Sequence, residues 1–189
     1  MPANALSTRP PSIRRAAAAD IPLLREMAER TWRQCYAAIL SPEQMEYMLT
    51  RMYAPEVIAQ EMADGVIWEV AVHDGSPIGF HSCAFDPADR SLKLHKLYVL
   101  PAAQGMGFGK ALLVRVRALA GTLGARKVWL QVNKNNASAI RAYERAGYSV
   151  ERAAVFDIGG GFVMDDFIMA LAISSAAPLS AKDAAPVGT

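Results

Sequence analysis

The chain contains 189 residues, of which 52% are hydrophobic, and it carries a formal net charge of +2. This length can bury one well-filled core, and this composition excludes an intrinsically disordered chain. A nearly neutral chain has no bulk attraction to DNA or to anionic membranes, so we expect neither a nucleic acid nor a membrane as its partner.

Cysteine content and apolar runs indicate the compartment. The two cysteines, Cys35 and Cys83, are too few for a disulfide framework, and their spacing fits no set of zinc ligands. The uncharged run at 167–181 contains a proline and falls short of a membrane span, and the N-terminus has no apolar block typical of a signal peptide. We therefore expect free thiols, no bound metal and a cytoplasmic location.

Apolar spacing and turn residues predict a succession of strands and helices. Strands are predicted at 12–16, 66–73, 78–85, 92–100, 126–132, 148–157 and 162–173. Helices are predicted at 20–39, 41–52, 55–65, 108–121 and 136–146. We expect 12–173 to form a single domain, after a flexible N-terminus at 1–11 and before a disordered tail at 174–189 that is rich in Ala, Ser and Pro.

A glycine-rich turn separates the strand at 92–100 from the next helix. It contains Gln104, Gly105, Gly107 and Gly109. Such a turn can aim free backbone N–H groups and the positive end of a helix at a phosphate. A Walker loop would need glycine at Gln104 and a hydroxyl at Ala111, and a dinucleotide fingerprint would need glycine at Lys110. The pattern that remains is Gln-x-x-Gly-x-Gly.

This pattern, behind a strand that reads Leu-Tyr-Val-x-Pro, resembles the acetyl-coenzyme A loop of the GCN5-related N-acetyltransferases, the GNAT family. The segment from Asn136 to Tyr148 resembles the second signature of that family, Asn-x-x-Ala-Ile-x-x-Tyr-Glu-x-x-Gly-aromatic, at every position. The resemblance covers 12–173 and is strongest in the C-terminal half. It implies an α/β (α+β) fold with a mixed, mostly antiparallel central sheet of about seven strands, splayed at the cofactor site and flanked by helices.

The resemblance implies acetyl-coenzyme A (acetyl-CoA) as co-substrate and assigns a set of residues to it. The pyrophosphate would lie on the glycine-rich turn, and the pantetheine arm between two splayed strands, with the Val99 N–H beside the thioester oxygen. The cofactor-binding residues would be Leu97, Tyr98, Val99, Gln104, Gly105, Met106, Gly107, Phe108, Gly109, Lys110, Asn136, Ala139 and Tyr143. The alternative for the turn is a tight strand-to-helix connection that binds no ligand.

Two residues match catalytic positions of the family. Tyr143 matches its tyrosine acid, since a phenol with a pKa of about 10 is protonated at neutral pH and can hand a proton to a thiolate. His95, four residues before Val99 on the same strand, matches the position of a base that drains the proton of the attacking amine, and an ordinary imidazole pKa of about 6.5 suits that task. The alternatives are a packed core tyrosine and a structural strand histidine.

Other polar residues are weaker candidates. Tyr98 is a second phenol, but strand alternation puts it on the face opposite Leu97 and Val99. Glu69 is a second candidate for the base, through its carboxylate. We expect the remaining histidines, His73 and His81, to be surface or packing residues. Contacts to the adenosine phosphates are weaker predictions for Lys110, Lys134 and Arg145.

The family resemblance places acceptor choice in the first two helices and in the loop between the last two strands. There the chain has Trp32, Tyr36, Tyr47, Tyr53 and the segment 156–166, whose three consecutive glycines predict a mobile hairpin tip. Asp157, Asp165 and Asp166 can attract a cationic amine, or can be turn and edge-strand carboxylates.

These patterns together predict an N-acetyltransferase that acts by direct attack, because no cysteine lies in a nucleophile motif. We expect the acceptor to be a small primary amine of the polyamine, amino acid or amino-sugar class. The alternatives are acetylation of a peptide N-terminus and, from a different class, a non-catalytic acyl-CoA sensor. A homodimer is possible.

Overall fold

The computed structural model describes residues 9–174, and its helices and strands follow the predicted order. The strands are β1 (Ser12–Arg15), β2 (Ile67–His73), β3 (Ser76–Asp86), β4 (Ser91–Val99), β5 (Lys127–Asn133), β6 (Ser149–Gly159) and β7 (Phe162–Ala172). The helices are α1 (Ile21–Cys35), α2 (Pro42–Tyr53), α3 (Pro55–Ala63), α4 (Phe108–Thr122) and α5 (Ala137–Arg145), with short 3-10 turns at Ala18–Asp20 and Pro101–Ala103. The predicted tail, apart from residue 174, and most of the predicted flexible N-terminus lie outside the described residues.

Helix α1 ends earlier than its apolar spacing predicts. It stops at Cys35, and the amides of Ile39 and Leu40 both donate to the Tyr36 carbonyl in a turn. Helix α2 then starts at Pro42, with the Ser41 hydroxyl accepting from the Gln44 amide at 3.1 Å. The apolar residues of this turn continue the helical spacing, so spacing alone did not mark the end of α1.

The seven strands form one sheet in the order β1-β2-β3-β4-β5-β7-β6. All neighbouring strands are antiparallel except β4 and β5, which are parallel. The β4–β5 ladder runs only from Ser91–Lys127 to Leu94–Leu130, and beyond it the two strands separate. The mixed sheet with a split at the expected place is therefore confirmed.

Helices cover both faces of the sheet. On one face α1, α2 and α3 pack through a cluster that includes Leu24, Met27, Trp68 and Phe80, each nearly or fully inaccessible to solvent. On the other face α4 buries a stripe at helical spacing that includes Leu112 and Val116. The core is thus two apolar layers, and the split between β4 and β5 lies between them. None of the helices within residues 9–174 combines the length and apolar character needed to cross a membrane.

A buried ionic cluster links the sheet to α4. The two Glu69 oxygens accept from Arg115 at 2.6 and 2.7 Å, and Glu69 Oε2 lies 3.0 Å from His81 Nε2. Burial raises the pKa of the Glu69 carboxyl, but the Arg115 and His81 hydrogen bonds outweigh it and hold this pKa at about 2. The Glu69 carboxylate is thus fully used in this ionic cluster, and it does not line the cleft described below. His81 is a packing residue, as predicted.

Removing this carboxylate should destabilise the fold. We expect Glu69→Gln to lower the free energy of unfolding by about 2–3 kcal/mol, because His81 stays fully buried and the partly exposed Arg115 loses its counter-ion. The matched control is Glu29→Gln, which breaks an exposed pair with Arg33 and should cost less than about 1 kcal/mol. Urea unfolding measures both, and equal losses would contradict the buried ion pair.

Candidate active site

The separation of β4 and β5 opens a cleft of about 1190 Å³. It is lined by residues of α1, α2, β4, β5, α5 and the β6–β7 hairpin. Ten of the residues predicted for the site line it: His95, Leu97, Tyr98, Val99, Gln104, Gly105, Gly109, Asn136, Ala139 and Tyr143. Met106, Gly107, Phe108 and Lys110 do not. The fold thus brings the two sequence signatures together around one opening.

The glycine-rich turn presents backbone amides at the start of α4. Gly105 and Gly107 adopt φ of +79° and +85°, a region that L side chains rarely adopt. A Cβ built on either glycine would meet no atom within 4 Å, so the space beside this backbone is open. No side chain of residues 9–174 caps α4, which leaves its first amides free to bind an anion. The turn therefore fits a phosphate group.

Two side chains of this turn have structural contacts. Phe108 is buried and packs its ring 4.8 Å from that of His73, so only its backbone amide can face a ligand. The Gln104 amide nitrogen donates to the Val99 carbonyl at 3.0 Å and also approaches Cys35 Sγ at 3.4 Å. Gln104 consequently braces the end of β4 and ties it to α1.

Helix α5 contributes the predicted acid and its own cap. Asn136 Oδ1 accepts from the Ala139 amide at 3.1 Å, which fixes the helix start. Tyr143 lines the cleft two turns later, with its ring 5.7 Å from that of Tyr148. Burial raises the pKa of Tyr143 above its ordinary value, so its phenol is protonated at neutral pH.

Tyr98 lies on the opposite face of β4, as strand alternation predicts. Its ring centroid is 5.4 Å from that of Phe80 and 6.4 Å from that of Trp32, within the apolar layer of α1–α3. Leu97 and Val99 instead pack on the α4 side. The two phenols, Tyr98 and Tyr143, therefore reach the cleft from different sides.

His95 is the extra residue of a β-bulge in β4. Ser82 pairs with Lys96 and Cys83 with Leu94, which leaves His95 without a partner on β3 and its side chain in the cleft. His95 is solvent-exposed, but desolvation by the cleft around its ring, then the charges of Lys93 and Lys96, lower its pKa to about 4. Its ring is thus neutral at pH 7 but less basic than the ordinary imidazole that the sequence analysis assumed. The flanking lysines were visible in the sequence; their shared environment with His95 was not.

The tip of the β6–β7 hairpin is held against α2. The Ile158 carbonyl accepts from the Tyr47 hydroxyl at 2.8 Å and from Arg51 at 3.0 Å, and Gln44 donates to the Val163 carbonyl at 2.8 Å. We call these contacts the hairpin clasp. A Cβ on Gly159 or Gly160 would come within 3 Å of the Tyr47 side chain. These two glycines thus permit close packing on α2, a role different from the predicted mobility.

Two polar residues of the cleft, Tyr36 and Asp166, belong to the segments expected to choose the acceptor. Asp166 on β7 is 3% exposed and lines the cleft. The Tyr36 hydroxyl lies close enough to Asn136, Tyr98 and Asp166 for each to affect its pKa, which burial raises above its usual value. Alternation along β7 could have separated Asp166 from Asp165, but no local signal links Tyr36 to α5.

Comparisons with known proteins agree with this geometry. A model of the acetyltransferase (GNAT) family matches residues 24–148. The chain is 29% identical over 153 residues to an uncharacterized N-acetyltransferase of Mycobacterium tuberculosis, which covers 79% of this chain and 96% of that protein. It is 25% identical over 158 residues to the spermidine N(1)-acetyltransferase of Thermoplasma acidophilum, covering 81% of this chain and 94% of that one.

Solved structures share the same architecture. The PaiA N-acetyltransferase of Thermoplasma acidophilum, in complex with coenzyme A, matches with a TM-score of 0.73 at 25% identity, covering 87% of this chain and 99% of that one. A ribosomal-protein-alanine N-acetyltransferase of Brucella melitensis matches with a TM-score of 0.63 at 21% identity, covering 85% and 99%. The second likeness shows the fold alone.

Proposed function

Because the chain belongs to the acetyltransferase (GNAT) family, it is an N-acetyltransferase, and we propose that it transfers the acetyl group of acetyl-CoA to a primary amine of a small molecule by direct attack. The observation that carries the choice of acceptor is the hairpin clasp. The rival acceptor is the N-terminus of a peptide. The free thiols of Cys35 and Cys83 support a cytoplasmic location as part of the same proposal.

Acetyl-CoA supplies an activated acetyl thioester. The open backbone at Gly105 and Gly107 and the uncapped start of α4 would hold its pyrophosphate. The edges of β4 and β5 beyond Leu94 and Leu130 have no partner in each other, so their backbone groups can pair with an amide-rich arm. Cofactor binding would thus use the chain's backbone more than its side chains.

Two groups of the cleft can move protons at neutral pH. Tyr143 Oη carries its proton at neutral pH, as an ordinary phenol does, and burial raises its pKa further, so it is available as a proton donor and not as a base. The imidazole of His95 is neutral because desolvation in the cleft and two lysines disfavour its cation, so it can accept a proton directly or through water. An attacking amine must be neutral, and an ordinary alkyl ammonium has a pKa of about 10. We infer that His95 helps to remove that proton.

The hairpin clasp supports a compact acceptor. Tyr47, Arg51, Ile158 and Gly159 all line the cleft and also form or adjoin the clasp. The clasp joins α2 to the β6–β7 hairpin at this end of the cleft, so no open groove for an extended peptide separates these two elements. A small amine needs no such groove. This supports the small-molecule acceptor over the peptide.

The acceptor proposal is tested by the release of coenzyme A thiol from acetyl-CoA with a panel of amines. The panel contains aliphatic diamines and polyamines, amino acids, amino-sugars and short peptides with free N-termini. We expect turnover with one of the small-amine classes and none above background with peptides. Turnover confined to peptides would overturn the small-molecule assignment.

The His95 role predicts a specific pH dependence. A pKa lowered to about 4 means that the ring is neutral above about pH 5 and becomes charged only below that. We therefore expect His95→Gln to lower kcat about 10- to 100-fold without changing the shape of the kcat profile between about pH 5.5 and 8. An inflection near pH 6.5 that is present in the wild type and lost in the variant would contradict the lowered pKa. Acetyl-CoA affinity, measured by calorimetry, should stay the same in both.

A further inference from the structure

Asp166 is a buried carboxylate in the wall of the cleft that lacks a partner. It is 3% exposed, lies on β7 opposite Asn133 of β5, and borders the cleft together with Tyr36 and Asn136. Within residues 9–174, no hydrogen bond acts on its carboxyl group; its pKa responds only to burial and to the charges of Asp165 and Lys134. A buried carboxylate without a counter-ion is costly, and such a group in a cleft marks a place where a ligand supplies the missing partner.

The neighbouring residue shows that this situation is particular to Asp166. Asp165 points to the other side of the strand, is half exposed, and forms an ion pair with Lys134. Burial, and then the charge of Asp165, raise the pKa of Asp166 to about 6, while Lys134 opposes the rise. Lys134 is therefore committed to Asp165, and Asp166 remains without a direct cationic partner.

The other charged groups of the cleft are satisfied within the chain. Lys96 pairs with Glu61 at 3.0 Å, and Arg51 is bonded to the hairpin clasp. Asp157 accepts the Gly159 amide at 2.8 Å. Lys93 of β4 sits over the ring of Trp129, its partner in the β4–β5 ladder, at 4.7 Å. Of the carboxylates that line the cleft within residues 9–174, Glu61 and Asp157 thus have partners and Asp166 has none, so a cationic ligand group is drawn to Asp166.

We propose that Asp166 binds an ammonium group of the acceptor, and that the acceptor is an aliphatic diamine or polyamine. This rests on the proposed function, transfer of acetyl to a small amine. The reacting nitrogen must be neutral, whereas a carboxylate selects a nitrogen that stays charged. An acceptor with two amines meets both demands, with one ammonium at Asp166 and the other nitrogen free to lose its proton. Aromatic rings that line the cleft, including those of Trp32 and Tyr36, can pack along the methylene chain between them.

The experiment compares two acceptors in three proteins. The acceptors are cadaverine and the amino alcohol of the same length, in which a hydroxyl replaces one amine. The proteins are the wild type, Asp166→Asn, and the matched control Asp165→Asn on the same strand. We expect Asp166→Asn to raise the KM for cadaverine about 10- to 100-fold and to leave the KM for the amino alcohol within about twofold. Asp165→Asn should keep the wild-type preference for cadaverine.

The outcomes separate this inference from the proposed function. If cadaverine is acetylated and Asp166→Asn behaves like Asp165→Asn, Asp166 is not the binding residue, although the function stands. If no protein acetylates either amine but calorimetry shows cadaverine binding that only Asp166→Asn loses, the site stands and the function fails. If Asp166→Asn does not fold, the KM values of the wild type for the two acceptors test the inference instead. Equal KM values for cadaverine and the amino alcohol would overturn it. A wild type that binds neither acceptor also overturns it.

Discussion

Replacing Tyr143 with phenylalanine should lower kcat for acetyl transfer about 100- to 10,000-fold while the Kd for acetyl-CoA changes less than about twofold. The substitution removes one hydroxyl and keeps the ring that packs beside Tyr148. The phenol is protonated at neutral pH because burial raises its pKa, so the lost atom is a proton donor in the cleft. Steady-state kinetics give kcat, and calorimetry with acetyl-CoA gives Kd.

The matched control for this prediction is Tyr148→Phe. Tyr148 contacts the same ring, is buried, and does not line the cleft. It should therefore keep kcat within a few fold of the wild type. If both variants lose activity equally, the loss reflects packing of α5 and not proton donation. If neither loses activity, the enzyme does not use an acid at this position. The sensor alternative requires instead a wild type that binds acetyl-CoA and shows no turnover.

Replacing Gly107 with aspartate should weaken acetyl-CoA binding about 100-fold or more. An aspartate here would place a carboxylate at the N-terminus of α4, where the pyrophosphate is proposed to lie. A loss of 100-fold corresponds to about 2.7 kcal/mol, which is in the range of a charge-assisted hydrogen-bonding site turned repulsive. Calorimetry on the folded variant measures the change.

Gly65→Asp is the control, because it separates charge at the loop from backbone strain. Gly65 has φ of +87°, close to the +85° of Gly107, and in both a Cβ would meet no atom within 4 Å. Gly65 lies in the connection between α3 and β2 and not in the glycine-rich turn before α4. Gly65→Asp should lose at least as much stability as Gly107→Asp, because its carboxylate follows the C-terminus of α3 whereas that of Gly107→Asp lies at the N-terminus of α4. Only Gly107→Asp should lose acetyl-CoA affinity. Unchanged affinity in Gly107→Asp would remove the turn from the cofactor site.

Much of the fold could be predicted because its signals are local. Alternation in β2 and β3 around the turn at Asp74 and Gly75, and capping residues such as Ser41, act within a few residues of each other. The strand order and the β4–β5 split could not be predicted from local signals. Both depend on which distant segments of the chain pair with each other. The expectation of a mixed, splayed sheet came instead from the resemblance of two sequence signatures to a known family. The predicted end of α1 lies a few residues too late because the apolar spacing continues through the turn that follows the helix.

The chemistry of the cleft was harder to predict, since it depends on contacts between distant parts of the chain. The pKa of His95 follows from its place in a bulge at the cleft, where desolvation and two lysines act on its ring, and a sequence pattern does not give the bulge or the cleft. The hairpin clasp joins residues more than a hundred positions apart, such as Tyr47 and Ile158. Asp166 was visible as one of three aspartates, but only the structure shows that it alone of the three is buried.

The central claim is that the cleft between β4 and β5 transfers an acetyl group to a small amine. The most direct measurement incubates the wild type with isotopically labelled acetyl-CoA and the amine panel, and follows the label by mass spectrometry. We predict label on the nitrogen of a small amine and none on the enzyme, since direct attack leaves no acyl-enzyme. Label that accumulates on a protein side chain, or on none of the small amines although acetyl-CoA is bound, would contradict the account.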